Sequence, residues 1–125
     1  YMSATNSAVN VRSLKGMTPG KYVKTSLDLV IMAILNGKPM YGYKIMASIH
    51  KEFGVLLSPG SLYPLLHLLE EEKLIESRDE GGKRVYLATN EGKTRFQNAF
   101  TMFKASMNQL ENFVKRNGKD SLNDS

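Results

Sequence analysis

The sequence predicts a mainly helical fold with one small β-hairpin: a winged helix-turn-helix followed by a long C-terminal helix. Three observations lead there. Apolar residues recur at helical spacing in three successive segments between Thr25 and Lys73. The period then switches to short strand-like runs on either side of Gly81-Gly82, and it returns to helical spacing from Asn90 to Arg116. The chain divides accordingly into a basic N-terminal arm (1–24), a winged helix-turn-helix unit (25–89), a long amphipathic helix (90–117) and a polar tail (118–125).

The arm lacks sustained periodicity. Gly16, Pro19 and Gly20 break any longer helix and leave room for a short one near its end. The first strong helix starts at Thr25, where Thr25 and Asp28 fit a capping box. Leu27, Val30, Ile31, Ile34 and Leu35 give it one buried stripe. Asn36-Gly37 ends it, since both residues tolerate the left-handed conformation of a C-terminal cap, and Pro39 lies just beyond. A second helix runs from about Tyr41 to Phe53 on Ile45, Ile49 and Phe53, with Met46 beside them and Gly54 closing it.

Val55-Leu56-Leu57 turn the chain toward Ser58-Pro59, a sharp start signal. Ser caps, and Pro at the first helical position gives up an N–H that has no partner there. The third helix continues to about Lys73 with Leu62, Leu65, Leu66 and Leu69 facing inward. Pro64 inside it predicts a bend or a loosened first turn, because its ring presses on the carbonyl of Gly60. Residues 74–78 and 84–89 read as strands, and the glycines between them supply the positive φ of a hairpin turn. In the last helix Phe96, Phe100, Phe103, Met107, Leu110 and Val114 step by four and three in alternation, the seam of helices that pack along their length.

Composition sets bounds around this. The 125 residues leave room for one compact domain with flanks, and 42% apolar and 23% charged residues are ordinary for a globular chain. The longest apolar run, Leu29 to Leu35, falls well short of the roughly 18 residues of a membrane span. No secretory pattern opens the chain, and the lack of cysteine fits an intracellular, cytoplasmic setting without disulfides or zinc fingers. The net charge of +5 collects in residues 1–24 and 90–117, so it says little about the helix-turn-helix itself. His50 and His67 read as surface residues rather than metal ligands, Ser58 and Ser61 lack a base and an acid, and Gly81-Gly82 is no phosphate loop. No catalytic residue, metal or cofactor is expected.

Two helices joined by a tight turn, completed by a preceding helix and followed by a hairpin, suit double-stranded DNA. The second helix of the pair enters the major groove and the wing touches the backbone. The helix start at Ser58, Gly60, Ser61 and Tyr63 is uncharged but offers small polar groups and backbone N–H groups to a phosphate. Tyr41 and Lys44 could clamp the adjacent backbone, and Lys83 and Arg84 are the natural phosphate partners on the wing, with Arg78 nearby. The plain alternatives are a tyrosine packed on the core and a lysine keeping a hairpin soluble. A second reading is a winged-helix protein-interaction module with no DNA partner.

The runs Tyr41-Gly42-Tyr43, Ser58-Pro59-Gly60-Ser61-Leu62-Tyr63-Pro64-Leu65-Leu66, Leu69 to Ile75, Arg84-Val85-Tyr86 and Thr89-Asn90-Glu91-Gly92 resemble the PadR family of transcriptional regulators, over roughly residues 25–116. The resemblance implies a homodimer that binds a palindromic operator, usually as a repressor, in the short branch with a single C-terminal helix. It implies that Phe96, Phe100, Phe103, Met107, Leu110 and Val114 pair with a second copy. Some family members hold flat aromatic ligands on this stripe, which marks Phe100, Phe103 and Met107 as the lining for a small aromatic effector; plain dimer packing is the competing reading of the same residues. Lys73 departs from the family pattern, standing where such sequences often place the glycine that ends the helix.

Overall fold

The structure, a computed structural model, describes residues 19–124. The arm residues expected to be flexible, 1–18, lie outside the described residues. A short helix α1 (Pro19–Val23) runs through a 3-10 turn (Lys24–Ser26) into α2 (Leu27–Gly37). There follow β1 (Met40–Tyr41), α3 (Gly42–Phe53), α4 (Pro59–Glu71), β2 (Ile75–Glu80), β3 (Lys83–Ala88) and α5 (Asn90–Asp124).

Seven side chains at the centre are essentially inaccessible: Ile31 and Leu35 from α2, Ile45 and Ile49 from α3, Leu62 and Leu66 from α4, and Ile75 from β2. Each contributes about 1.5–3 kcal/mol through burial. Met32, Leu69, Val55, Tyr86 and Ala88 complete the cluster, and apart from the Tyr86 phenol no polar or charged side chain is buried among the described residues. Phe53, expected on the inner face of α3, is 39% exposed instead. The helix ends at Gly54, whose φ of 69° lets its N–H reach the His50 carbonyl at 2.8 Å.

Several local expectations are corrected. Thr25 does not cap α2: its hydroxyl donates to the Tyr22 carbonyl at 2.8 Å, within the 3-10 turn. Asp28 accepts from the adjacent Leu29 N–H, so no capping box forms. Nor does α2 end on a left-handed residue; Gly37 is its last helical residue and Lys38 is fully extended, with φ −170°. That extension carries the chain directly into β1, a strand the sequence does not predict. Met40 pairs with Tyr86 and Tyr41 with Val85, giving a three-stranded antiparallel sheet in the order β1-β3-β2. A two-residue strand carries too little periodicity to be seen in sequence, and it exists only because β3 offers it an edge.

The α4 helix starts as expected. Ser58 is its N-cap, accepting the Ser61 N–H at 3.2 Å, and Pro59 opens the helix. It runs unbroken past Pro64. Its C-terminus solves the missing-glycine problem with Lys73 itself, which adopts φ 63°. The Leu74 N–H bonds to the Leu69 carbonyl and the Lys73 N–H to the Glu70 carbonyl, both at 3.0 Å, completing a Schellman cap. Holding a residue with a Cβ in this conformation costs roughly 1–2 kcal/mol.

The capped end is tied to the start of α5. The Thr89 hydroxyl donates to the Lys73 carbonyl at 2.7 Å and accepts the Gly92 N–H at 2.9 Å, while the Thr89 N–H donates to the Leu74 carbonyl. A Cβ at position 92 would fall on the Leu74 carbonyl oxygen, so only glycine fits this crossing. From here α5 continues to Asp124, through the residues expected as a polar tail.

Candidate nucleic-acid interface

The geometry is built around Gly42, the buried first residue of α3. A Cβ there would meet the Tyr63 ring, with Oη at 2.6 Å and Cε1 at 2.9 Å. Its absence lets the Tyr63 ring lie directly on the first turn of α3, which locks the starts of α3 and α4 together. On either side of Gly42, Tyr41 and Tyr43 stack with ring centroids 5.8 Å apart and planes 12° from parallel. The wing closes on the same place. Lys83 Nζ stands 5.8 Å from the Tyr41 ring centroid and 5.5 Å from that of Tyr43. A cation over exposed rings is held by about 0.5–1 kcal/mol, enough to orient the ammonium and leave it accessible.

The helix tip is narrower in its offer than the sequence suggests. Pro59 has no N–H, and the Ser61 and Leu62 N–H groups both bond to Ser58. Ser58 also donates to the Ser61 hydroxyl at 3.2 Å. The exposed Gly60 is left as the tip's backbone donor without an internal partner among the described residues. A Cβ on Gly60 would make only an ordinary contact, 3.7 Å from Ser58 Oγ, so nothing among the described residues requires glycine there.

The wing is a tight hairpin in which Gly81 and Gly82, at φ 63° and 85°, join Glu80 to its partner Lys83. Successive strand residues point to opposite faces. Lys83 therefore shares a face with Val85 and its partner Tyr41, whereas Arg84 projects from the other. There Arg84 Nη1 donates to Ser77 Oγ at 2.9 Å, and Ser77 Oγ donates to Glu70 Oε2 on α4 at 2.6 Å. Tyr86 lies beside this network. Burial pushes its phenol above the ordinary value of 10.0, with Tyr63 and Glu70 acting in the same direction and Arg84 against them.

The structure thus brings Tyr41, Tyr63 and Lys83 together around Gly42, keeps Ser58, Gly60 and Ser61 at the adjoining tip, and sets Arg84 apart. Lys44 lines a groove of about 370 Å³ between β1, α3 and the wing, shared with Lys38, Tyr41 and Arg78. Arg78 is paired with Glu80 at 3.2 Å. Tyr43 and Lys38 join the candidate interface although the sequence alone does not single them out. Tyr43 stands in the Tyr41-Gly42-Tyr43 run, where a second aromatic at a helix start is a usable signal; Lys38 joins the groove only through β1.

On α5, Phe96 is half-buried against the core and stacks on Phe100 at 6.0 Å. Phe100, Phe103, Met107, Leu110 and Val114 are all between 38% and 57% exposed. A cleft of about 340 Å³ opens between α2 and α5, lined by Leu29, Met32, Leu74, Phe96 and Phe103 among others. Of the three residues expected to line an effector pocket, only Phe103 reaches it. Among the described residues there is no group of acidic, His or Cys side chains able to hold a metal, and no helix long and apolar enough to cross a membrane.

Comparison with known proteins accords with this geometry. The chain is 38% identical over 69 residues to the transcriptional regulator YqjI of Escherichia coli, and the matched part is 53% of this chain and 33% of that protein. The chain therefore spans about a third of the length of that relative. Among solved structures, a PadR family transcriptional regulator from Eggerthella lenta shares the fold, with a TM-score of 0.68 at 24% identity, covering 94% of this chain and 97% of that one. A winged-helix DNA-binding protein from STIV aligns with a TM-score of 0.56 at 27% identity, covering 61% of this chain and 85% of that one. The family description "Transcriptional regulator PadR-like family" matches residues 31–98, more than half of the chain, and on this ground the protein belongs to the PadR-like family of transcriptional regulators.

Proposed function

We propose that this chain is a transcriptional repressor that binds a palindromic double-stranded DNA operator as a homodimer. The observation that carries the reading is the convergence at Gly42: the starts of α3 and α4 and the tip of the wing meet in one accessible patch. In it Tyr41, Lys44, Tyr63 and Lys83 address the phosphate backbone. Ser58, Gly60 and Ser61 form the tip of α4 that enters the major groove, and the lack of any need for glycine at position 60 among the described residues supports a close approach by an outside group. The uncharged tip reads few bases directly, so sequence-dependent DNA shape contributes to specificity.

Dimerisation through Phe96, Phe100, Phe103, Met107, Leu110 and Val114 is supported by the exposure of the last five along one helix face, since a contiguous apolar surface of this length marks an interaction site. Two such units place their α4 helices in successive major grooves about 34 Å apart. A small aromatic effector would have to enter beside Phe103, in the cleft between α2 and α5, or between paired copies at Phe100 and Met107.

Selection of bound duplexes from a random pool, followed by footprinting and transcription from a promoter carrying the selected site, tests this reading. An enriched palindrome protected over two half-sites and lowered transcript yield are expected, with binding that weakens steeply as salt rises. An unenriched pool would favour the protein-interaction module, and a footprint over one half-site would remove the dimer.

A further inference from the structure

The Glu70–Ser77–Arg84 network joins three elements through one hydroxyl. Glu70 belongs to α4, Ser77 to β2 and Arg84 to β3. Ser77 Oγ serves both neighbours, donating to Glu70 at 2.6 Å and accepting from Arg84 at 2.9 Å. One carboxylate on α4 thereby holds both strands of the wing. Arg84 is exposed, yet its guanidinium is turned toward α4, on the face away from Lys83, Tyr41 and Tyr43.

We propose that Arg84 is a positioning residue: with Ser77 and Glu70 it sets the angle of the wing against α4, so that Lys83 on the opposite face reaches the duplex. The proposal rests on the nucleic-acid reading above. It separates two adjacent cations of the wing by task, Lys83 neutralising a phosphate and Arg84 holding the hairpin. It also gives Glu70, an anion on the helix that enters the groove, a reason to be there: it anchors the wing, and Arg84 offsets its charge.

The opposing view, in which Arg84 leaves Ser77 to bind a phosphate, makes different predictions. The test compares the full chain with its K83Q, R84Q, S77A and E70Q variants. Binding to the selected duplex is measured across salt concentrations, and backbone amide relaxation of the wing is measured in the free protein. K83Q should lower the slope of log affinity against log salt by roughly 0.9 for each phosphate it no longer neutralises. R84Q and S77A should weaken binding roughly three- to tenfold, the range of one net hydrogen bond, with the slope of the unmodified chain. E70Q should weaken binding as well, although it removes an anion. In all three, the amides of residues 79–84 should gain mobility.

A slope in R84Q lowered by the K83Q increment, tighter binding by E70Q, or an S77A variant matching the unmodified chain in both measurements would overturn the proposal. S77A changes no charge and carries the test should R84Q fail to fold. If the unmodified chain binds no duplex, the nucleic-acid reading falls, while the relaxation comparison still decides whether the network holds the wing.

Discussion

Helices α4 and α5 are both amphipathic, yet the chain treats their apolar faces in opposite ways. On α4, Leu62, Leu66 and Leu69 are at most 7% exposed, closed in by α2, α3 and the sheet. On α5, packing against the core ends after Phe96, and the stripe from Phe100 to Val114 stands open. The two stripes are written in the same chemistry, so what separates them is whether the described residues supply a cover. A fold of this size closes one core. The second apolar face has no cover among the described residues, and the homodimer reading assigns that cover to another copy.

Truncating each stripe in turn should break this comparison most visibly. Leu66→Ala should cost about 2–5 kcal/mol of stability, the same at every protein concentration, as the loss of a core side chain requires. Leu110→Ala should cost the isolated subunit almost nothing and show its effect only through a concentration-dependent midpoint of thermal unfolding. Equal, concentration-independent losses for both variants would remove the distinction.

A sharper version places charge in the open stripe. The combined Phe103→Glu and Leu110→Glu variant should be monomeric by sedimentation while keeping the helical circular dichroism of the unmodified chain, because unpaired carboxylates in a helix seam are strongly disfavoured. Operator affinity should fall with it, since each half-site is then bound alone. If the unmodified chain already sediments as a monomer, α5 does not pair.

The ends of the two regions offer a smaller effect. Lys73→Gly removes the Cβ from a residue at φ 63° and should stabilise the protein by up to about 1 kcal/mol, read from chemical denaturation. A loss of stability would mean that the lysine side chain contributes more than its backbone conformation costs. The smallest effect concerns pH. Because Tyr86 is held above 10.0 in the fold, its contribution to stability is complete below that value. It is lost as pH rises through 10 and beyond, where the unfolded chain gives up the proton first. Tyr86→Phe should flatten the alkaline decline of the unfolding midpoint relative to the unmodified chain; an unchanged decline would place its cause elsewhere.

Much of the fold is legible in the sequence because its signals are local. The Ser58-Pro59 start, the Gly54 end and the paired glycines of the wing act within a turn or two of chain, and each stands where the spacing puts it. The capping box expected at Thr25 fails because Ser, Thr and Asp side chains bond equally well to nearby turns, and here a 3-10 turn claims Thr25. In the candidate site, residue type and order are enough to single out Tyr41, Tyr63 and Lys83, but not their meeting point. That depends on Gly42, whose importance is the ring that packs on it from another helix.

What the amino-acid order determined by itself, then, is the succession of three helices, a hairpin and a final helix, together with the apolar faces they carry. Periodicity and capping are properties of neighbours in sequence. Only the tertiary structure decided that Met40 and Tyr41 become a strand, that Lys73 replaces a glycine in the α4 cap, that Gly92 must cross the Leu74 carbonyl, and that Lys83 and Arg84 face different partners. Each of these depends on which backbone or side chain arrives from a distant part of the chain, and that is set by the packing of the whole core rather than by any local stretch of sequence.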